Sequence, residues 1–216
     1  AISMPGFGAS DRTKKLATQL ALMSCADFEV IDITDACKQH LHDIAHPEDL
    51  YDIVYENVQA RERTQILFDY ANKVNGLVIG TGDMSELALG WCTYNGDQMS
   101  NYAVNAGVPK TLVRSLINAY AKNSEDVNER SVLKQVLELP VSPELLPTDK
   151  NGEIAQRTED VIGSYVLHDF FLYHYIRNGF GKYKIFRLAQ IAFNGKYEND
   201  EIEKTLDTFY HRFRTQ

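Results

Sequence analysis

The sequence carries little positive charge. Its 22 lysines and arginines are outnumbered by 30 aspartates and glutamates, which leaves a formal net charge of −8 at pH 7. The basic residues are also scattered along the chain, whereas a protein that binds duplex nucleic acid needs a clustered basic surface to neutralise phosphates. We therefore expect no nucleic-acid partner, and we expect any contact with phosphate to be local.

Long hydrophobic runs are missing as well. No uninterrupted apolar segment approaches the roughly 20 residues that a membrane-spanning helix requires. The opening residues, AISMPGFGAS, contain neither a basic leader nor a long apolar stretch. These absences predict a soluble, cytoplasmic protein without a membrane partner.

Cysteine is scarce and shows no useful spacing. The chain has three, Cys25, Cys37 and Cys92, an odd number without a disulfide or metal-binding pattern. This usage is typical of a reducing cytosol, and we expect all three to be buried as small apolar residues.

Familiar signatures of nucleophilic catalysis and zinc binding are also absent. There is no Gly-x-Ser-x-Gly motif and no Cys/His signature. The cluster HLHDIAH, residues 40–46, resembles a metal site only loosely, because a zinc site normally needs four ligands in a defined geometry. We assign no zinc site to it.

The most informative segment present is LVIGTGDMSELALGWCTYNGD, residues 77–97. Its short apolar run, residues 77–79, predicts a strand covered on both faces in a parallel sheet. A glycine turn follows, and Asp83 is placed to cap a short helix whose free backbone N–H groups face beyond the strand's carboxyl end. Ligands bind at that end in open α/β sheets, so this segment predicts a nucleotide-handling crevice.

Strands and helices alternate in the first part of the chain. A helix capped by Ser10 or Asp11 is followed by a strand at residues 28–33, and a helix at residues 57–74 leads into the strand described above. Pro109 suits the start of another helix, residues 111–121. The last third predicts only helices, at residues 131–139, 158–178, 184–193 and 201–213. At 216 residues, we expect one α/β domain with a helical C-terminal third.

Thr81 and Glu86 are the first candidate site residues. The hydroxyl of Thr81, in the turn after a buried strand, is suited to a phosphate or an adenine nitrogen. The carboxylate of Glu86 is suited to Mg²⁺, which prefers oxygen ligands. The alternative is structural, because Asp83-x-x-Glu86 also matches a capping box.

Asp97 and Lys110 are the next candidates, and each has an ordinary alternative. Asp97 follows Asn95 and Gly96, so it either belongs to a simple turn or lies in the crevice as a base or hydrogen-bond acceptor. Lys110, at a helix start, either reaches a polyphosphate or faces water.

Arg61, Arg63 and Ser142 complete the set. Positive charge near a helix start is disfavoured by the helix dipole, so the two arginines weakly indicate an anionic partner, unless Glu56 and Glu62 neutralise them. Ser142, in a proline-rich loop, either donates to a phosphate oxygen or makes a local turn hydrogen bond.

Five segments together resemble a known family. They are SMPGFG, NVQARERTQIL, GTGDMSELALGWCTYNGD, NAGVPKTLVRSLI and PVSPELLP, and the similarity continues to FYHRF near residue 213. In this order they strongly resemble the synthetase domain of glutamine-dependent NAD⁺ synthetases.

The resemblance implies an adenine-nucleotide α-hydrolase-like fold, in which helices cover both faces of a parallel sheet. It implies an ATP- and Mg²⁺-dependent ligase that amidates deamido-NAD⁺ through an adenylate, using ammonia from a nitrilase-like glutaminase domain, and that forms a homo-oligomer. The implied roles are ATP binding for Thr81, Lys110 and Ser142, Mg²⁺ binding for Glu86, deamido-NAD⁺ binding for Arg61, Asp97 and Asn101, and catalysis for Asp97, Lys110 and Ser142.

The sequence departs from the family in two ways. Ammonia-dependent members carry lysine and aspartate at the positions of Tyr94 and Asn101. The family's phosphate loop, Ser-Gly-Gly-x-Asp-Ser, does not occur in the sequence. We expect that loop before Ala1 and a basic loop after Gln216, so residues 1–216 are predicted to form a synthetase domain that is incomplete at both ends and inactive by itself.

Two alternatives to this function stay open. The chain is either another ATP pyrophosphatase, such as a GMP-synthetase-like enzyme, or a nucleotide-binding or assembly module without catalysis. Residues 81–97 argue against the first alternative, whereas the missing phosphate loop favours the second.

Overall fold

A computed structural model describes residues 1–47, 49–147 and 158–215. The strands are β1 (Ile2–Ser3), β2 (Glu29–Val30), β3 (Ile79–Gly80) and β4 (Tyr102–Ala103). The helices are α1 (Asp11–Met23), α2 (Thr34–Asp43), α3 (Ile53–Val74), α4 (Met84–Leu89), α5 (Lys110–Asn123), α6 (Val127–Glu138), α7 (Thr158–Ile162), α8 (Tyr165–Ile176), α9 (Lys182–Ala192) and α10 (Asn199–Thr215).

The chain divides into two compact units. The first contains Ala1–Gly80, Thr93–Tyr102 and the described part of Ser115–Arg157. The second contains Thr81–Cys92, Ala103–Arg114 and the described part of Thr158–Gln216. That residues 1–216 form a single domain stays a prediction.

The first unit begins strand–helix–strand, with the predicted helix and the predicted second strand at α1 and β2. Ser10 caps α1, since its side chain accepts a 3.1 Å hydrogen bond from the Thr13 N–H. Strands β1 and β2 are parallel, with Ile2 opposite Glu29. Strand β2 is shorter than the predicted residues 28–33, although the hydrogen bond from the Ile33 N–H to the Pro5 carbonyl continues the pairing beyond it.

The core of the first unit lies under α2 and α3. Ile33, Cys37, Leu41, Tyr55 and Val58 form a buried cluster there. Helix α2 is not among the predicted helices, and only its last four residues belong to the histidine-rich segment at residues 40–46. Its apolar positions recur at helical spacing and account for its packing on α3.

The expectation of a strand covered on both faces at residues 77–79 is wrong. Val78 is buried, but Leu77 and Ile79 are 70% and 54% exposed. The hydrogen bonds of this segment run to the next extended segment, where the Val78 carbonyl accepts from the N–H groups of Asn101 and Tyr102. The run is apolar, but the described residues bury only one of its three side chains.

The second unit is mainly helical, as predicted for the last third of the chain. Helices α8, α9 and α10 pack on one another, and Phe171, Ile185 and Phe209 are almost completely buried. The helix predicted over residues 158–178 is in fact two helices. The break is at Gly163, whose φ of +92° is incompatible with a right-handed helix, and Ser164 caps α8 by accepting from the Val166 N–H.

Two of the absences noted in the sequence have structural counterparts. Cys37 is buried as expected, but Cys25 is exposed, so the expectation of three buried cysteines is wrong. No helix within the described ranges is both long enough and apolar enough to cross a membrane.

Replacing Gly163 by alanine should destabilise the second unit. The added Cβ would lie 2.8 Å from the side chain of Thr205, which is itself buried, and the backbone would hold alanine at a positive φ. We expect the free energy of unfolding to fall by about 2–4 kcal/mol in urea denaturation. Gly107→Ala is the control, because nothing lies within 4 Å of its Cβ position; equal effects of the two substitutions would contradict this account.

Candidate functional site

Helix α4 begins with the capping box that the sequence offered as the structural alternative for Glu86. The Asp83 side chain accepts a 2.9 Å hydrogen bond from the Glu86 N–H. In return, Glu86 Oε2 accepts a 3.1 Å hydrogen bond from the Asp83 N–H. The Met84 N–H donates to the Val108 carbonyl at 3.0 Å. The expectation that these N–H groups are free for a ligand is therefore wrong.

Lys110 lies between the two carboxylates of this capping box. Its Nζ is 2.8 Å from Asp83 Oδ2 and 2.7 Å from Glu86 Oε1. The side chain of Lys110 is only 15% exposed, so the alternative that it faces water is wrong. Burial acts to lower the pKa of Lys110, but the charge of Glu86 and the hydrogen bonds to both carboxylates outweigh it and raise the pKa above its ordinary value.

The ring of Tyr165 packs beside this cluster of charges. Lys110 Nζ lies 5.1 Å from the ring centroid, within the range of a cation–π contact. Tyr165 is almost fully buried, and its hydroxyl has no hydrogen-bond partner among the described residues. Burial, followed by the charges of Glu86 and Asp83, raises the pKa of Tyr165. The phenol is therefore neutral at ordinary pH, and its hydroxyl is buried beside the cluster.

Asp169 of α8, a further buried carboxylate, is hydrogen-bonded to residues of both α4 and α5. The Ser85 hydroxyl donates to Asp169 Oδ1, and the N–H and hydroxyl of Thr111 donate to Asp169 Oδ2 at 2.8 and 2.6 Å. Ser85 Oγ also accepts a 2.9 Å hydrogen bond from the Lys110 N–H. Sequence reasoning missed Ser85 and Asp169. The available signal was an aspartate inside the apolar run YVLHDFFLYHYI, because a carboxylate is buried only where donors satisfy it.

In the first unit, Asp97 is part of a tight turn. Its Oδ1 accepts a 2.7 Å hydrogen bond from the Thr93 N–H, and Asn95 has a left-handed φ of 53°. Arg61 donates from Nε to the Tyr94 carbonyl at 3.2 Å. The structure therefore brings Arg61 to the turn that holds Asp97, and both residues are exposed.

Asn101, Ser142 and Arg63 make structural contacts in the same unit. Asn101 Oδ1 accepts from the Val78 N–H at 2.8 Å, and Ser142 Oγ accepts from the Glu144 N–H at 3.1 Å, which is the local turn contact offered as an alternative. Arg63 donates to the Met4 carbonyl, and burial lowers its pKa. The suggestion that Arg63 faces an anionic partner is therefore not supported by its position.

The predicted site residues fall into both units. Thr81, Glu86 and Lys110 belong to the second, and Thr81 is exposed at the turn that precedes α4. Those in the first unit are Arg61, Asp97, Asn101 and Ser142. The structure joins Glu86 to Lys110 and Arg61 to the Asp97 turn; convergence of the whole set on one ligand stays a prediction.

Comparison with known proteins identifies the family. The model of the NAD synthase family matches residues 1–192. The chain belongs to the NAD synthase family. It is 46% identical over 202 residues to the glutamine-dependent NAD(+) synthetase of Mycobacterium tuberculosis strain H37Rv, a match that covers 90% of this chain and 29% of that protein. A second relative, the glutamine-dependent NAD(+) synthetase of Mycobacterium leprae, is 43% identical over 237 residues, covering 99% of this chain and 34% of that protein. The chain thus spans about a third of the length of these relatives.

Solved structures of NAD synthase relatives confirm the predicted fold class. A glutamine-dependent NAD+ synthetase from Acinetobacter baumannii, solved with adenosine diphosphate, matches with a TM-score of 0.58 at 25% identity and covers 100% of this chain and 36% of that chain. The NMN synthetase from Francisella tularensis matches with a TM-score of 0.70 at 22% identity, covering 100% and 76% of the two chains, a likeness that concerns the fold alone. The α/β fold of the adenine-nucleotide α-hydrolase type is therefore confirmed, as is the resemblance found in the sequence.

Glu86 is suited to the Mg²⁺ that this family resemblance implies only where other groups supply further ligands. Within the described ranges, no group of three or more His, Cys, Asp or Glu side chains is arranged to hold a metal ion. Glu86 Oε1 and Oε2 each already accept one hydrogen bond, from Lys110 and from the Asp83 N–H, and each keeps a further lone pair. Because Mg²⁺ is usually held by one or two carboxylates together with substrate phosphates and water, Glu86 suits a cation that arrives with phosphates rather than a cation held by protein ligands alone.

Removing the Lys110 ammonium should leave two carboxylates facing each other in a poorly hydrated place. We expect Lys110→Met to lower the free energy of unfolding by about 2–3 kcal/mol near neutral pH, between the values for exposed and buried pairs. Because the pKa of Lys110 is raised in the folded protein, the stabilisation is complete below its ordinary pKa of 10.5 and is lost as the pH rises through the raised value. Urea denaturation at a series of pH values from neutral to alkaline measures both effects.

Lys182→Met is the matched control for that experiment. Lys182 pairs with Asp207, and both side chains are about half exposed, at 51% and 57%. Its loss should cost less than about 0.5 kcal/mol. If Lys110→Met cost no more than Lys182→Met, the buried position of the Lys110 cluster would have no energetic consequence.

Proposed function

We propose that the protein carrying this chain amidates deamido-NAD⁺ to NAD⁺ at the expense of ATP, through an adenylate of the nicotinate carboxylate. The ammonia comes from glutamine, hydrolysed by a nitrilase-like glutaminase domain. The proposal rests on the position of Lys110 Nζ between Asp83 and Glu86 in a member of the NAD synthase family. The two carboxylates lie at the start of α4, which follows a strand and a turn.

The adenylation half of the reaction is assigned to the second unit and to Ser142. A carboxylate oxygen of deamido-NAD⁺ attacks the α-phosphorus of ATP, and pyrophosphate leaves with the electron pair of the bond that breaks. This chemistry needs alignment and charge neutralisation rather than a covalent nucleophile. Lys110 and Ser142 contact the phosphates, Thr81 contacts ATP, and Glu86 holds Mg²⁺, which supplies additional positive charge at the phosphates when it is bound.

In this proposal the polyphosphate contacts an ammonium that two carboxylates already hold in place. The ammonium is positioned by Asp83 and Glu86 and keeps its positive charge, since its pKa is raised. Positioning before substrate arrives reduces the entropy lost in the transition state. In this proposal the two carboxylates hold a charged donor ready for the leaving pyrophosphate.

The amidation half is assigned to the Asp97 turn. Ammonia attacks the acyl carbon of the adenylate, AMP leaves, and the excess proton on nitrogen must be removed. Asp97 Oδ1 is engaged by the Thr93 N–H, while the side chain is exposed, so its carboxylate can accept that proton as a general base. Arg61, which reaches the same turn, and Asn101 contact deamido-NAD⁺.

The remaining expectations are also part of the proposal. The protein acts in the cytoplasm as a homo-oligomer, and residues 1–216 are a synthetase domain that is inactive alone because the family's phosphate loop is not in the sequence. Light scattering after size-exclusion chromatography tests the oligomer. Formation of NAD⁺ from ammonia, ATP, Mg²⁺ and deamido-NAD⁺ by the isolated 216 residues would contradict the expected inactivity.

Asp97→Asn should separate the two halves of the reaction. Asparagine keeps an acceptor for the Thr93 N–H but cannot take up a proton, so we expect NAD⁺ formation to fall by about 10²–10⁴-fold. Exchange of labelled pyrophosphate into ATP, which reports only adenylation, should be unchanged within about threefold. Both rates are measured in the natural protein that carries these residues.

Lys110→Met should give a different pattern in the same two assays. Loss of the ammonium should reduce pyrophosphate exchange and NAD⁺ formation together, by about 10²–10³-fold. Asp160→Asn, which changes an exposed carboxylate outside both clusters, is the control for charge alone and should change neither rate.

A wild-type protein that binds ATP but releases neither AMP nor pyrophosphate with deamido-NAD⁺ would refute the proposed function and favour a module without catalysis.

A further inference from the structure

Helix α5 starts without a local cap. Pro109 occupies the capping position, because its carbonyl accepts a 3.1 Å hydrogen bond from the Val113 N–H. Proline has no side-chain acceptor, and the first N–H groups of a helix need partners from outside it. The helix that carries Lys110 therefore depends on other parts of the chain for its first turn.

Two side chains from other helices supply the missing caps. The Lys110 N–H donates to Ser85 Oγ at 2.9 Å, and the Thr111 N–H donates to Asp169 Oδ2 at 2.8 Å. The Ser85 hydroxyl donates in turn to Asp169 Oδ1. One carboxylate on α8 thus holds the starts of both α4 and α5, and Ser85 and Asp169 are 1% and 8% exposed.

The linkage has a direct consequence for the ion pair of Lys110. Glu86 follows Ser85 on α4, and Lys110 is the first residue of α5. The same short segments that Asp169 ties together therefore carry the carboxylate and the ammonium that meet at 2.7 Å. A negative charge at the first turn of α5 is further favoured by the helix dipole.

We propose that Asp169 is a positioning residue of this site: through Ser85 and Thr111 it fixes the first turn of α5, and with it Lys110, against the start of α4. It does not touch substrate. Its relevance to catalysis rests on the proposed function, in which Lys110 contacts the phosphates of ATP. The capping role itself is independent of any activity.

The first test measures the position of Lys110 without an activity assay. In Asp169→Asn, made in the natural protein that carries these residues, we expect acylation of Lys110 by a lysine-reactive ester to become about tenfold faster. Hydrogen exchange at the Lys110 and Thr111 amides should accelerate similarly. Peptide mapping by mass spectrometry measures both rates, and values equal to those of the wild type would overturn the proposal.

Two further variants keep this test decisive. Ser85→Ala is a smaller change that removes the acceptor of the Lys110 N–H and leaves the Thr111–Asp169 hydrogen bonds in place. It should therefore accelerate exchange at Lys110 more than at Thr111, and the reverse order would overturn the proposed linkage. Asp126→Asn is the matched control, because Asp126 caps α6 by accepting from the Asn128 N–H and has no part in the Lys110 cluster; it should leave Lys110 acylation unchanged.

The second test asks whether Asp169 acts through Lys110. We expect Asp169→Asn to reduce kcat for NAD⁺ formation by about 10- to 100-fold while KM for ATP changes less than about threefold. In a Lys110→Met background, Asp169→Asn should cause no further loss, because residues that act as a unit are not additive. Additive losses would overturn the positioning role. A wild-type protein without synthetase activity would refute the proposed function instead, and the acylation and exchange rates would still decide whether Asp169 holds Lys110.

Discussion

The ammonium of Lys110, placed between the carboxylates of Asp83 and Glu86, constrains much of the second unit. All three side chains are largely removed from water, and none of these charges would be tolerated there alone, because an isolated ion loses its hydration on burial. The start of α4 must therefore lie against the start of α5. The capping box fixes the two carboxylates, while Ser85 and Asp169 fix the backbone that carries the lysine.

This arrangement makes a structural role compatible with the proposed functional role of the same residues. Glu86 satisfies the Asp83 N–H as a capping residue and pairs with Lys110 as a charge. Neither contact exhausts the lone pairs of its oxygens, so the interpretation of Glu86 as a cap and its proposed role at the phosphates are compatible. Asp97 is similar, since its hydrogen bond with the Thr93 N–H orients a carboxylate whose side chain still reaches solvent.

Sequence patterns predicted the features that depend on neighbours in the chain. The cap at Ser10 and the capping box of Asp83 and Glu86 both involve contacts within about four residues, and the structure has each of them. Predictions failed where distant packing decided. Residues 158–178 have the apolar character of one helix, but the backbone breaks at Gly163, which packs against Thr205. The exposure of Leu77 and Ile79 likewise depends on which segments lie beside them, and an apolar run does not specify that.

The sequence by itself determined the family, the α/β fold class and the types of residue at the candidate site, because these follow from ordered motifs and from local hydrogen bonding. Only the tertiary structure decided that Lys110 faces two carboxylates rather than water, and that Asp169, 58 residues away from Thr111 in the chain, caps the helix that begins with Lys110. The physical reason is the burial of charge: a charged side chain leaves water only where folding brings opposite charge or hydrogen-bond donors to it, and those partners come from helices far apart in the sequence.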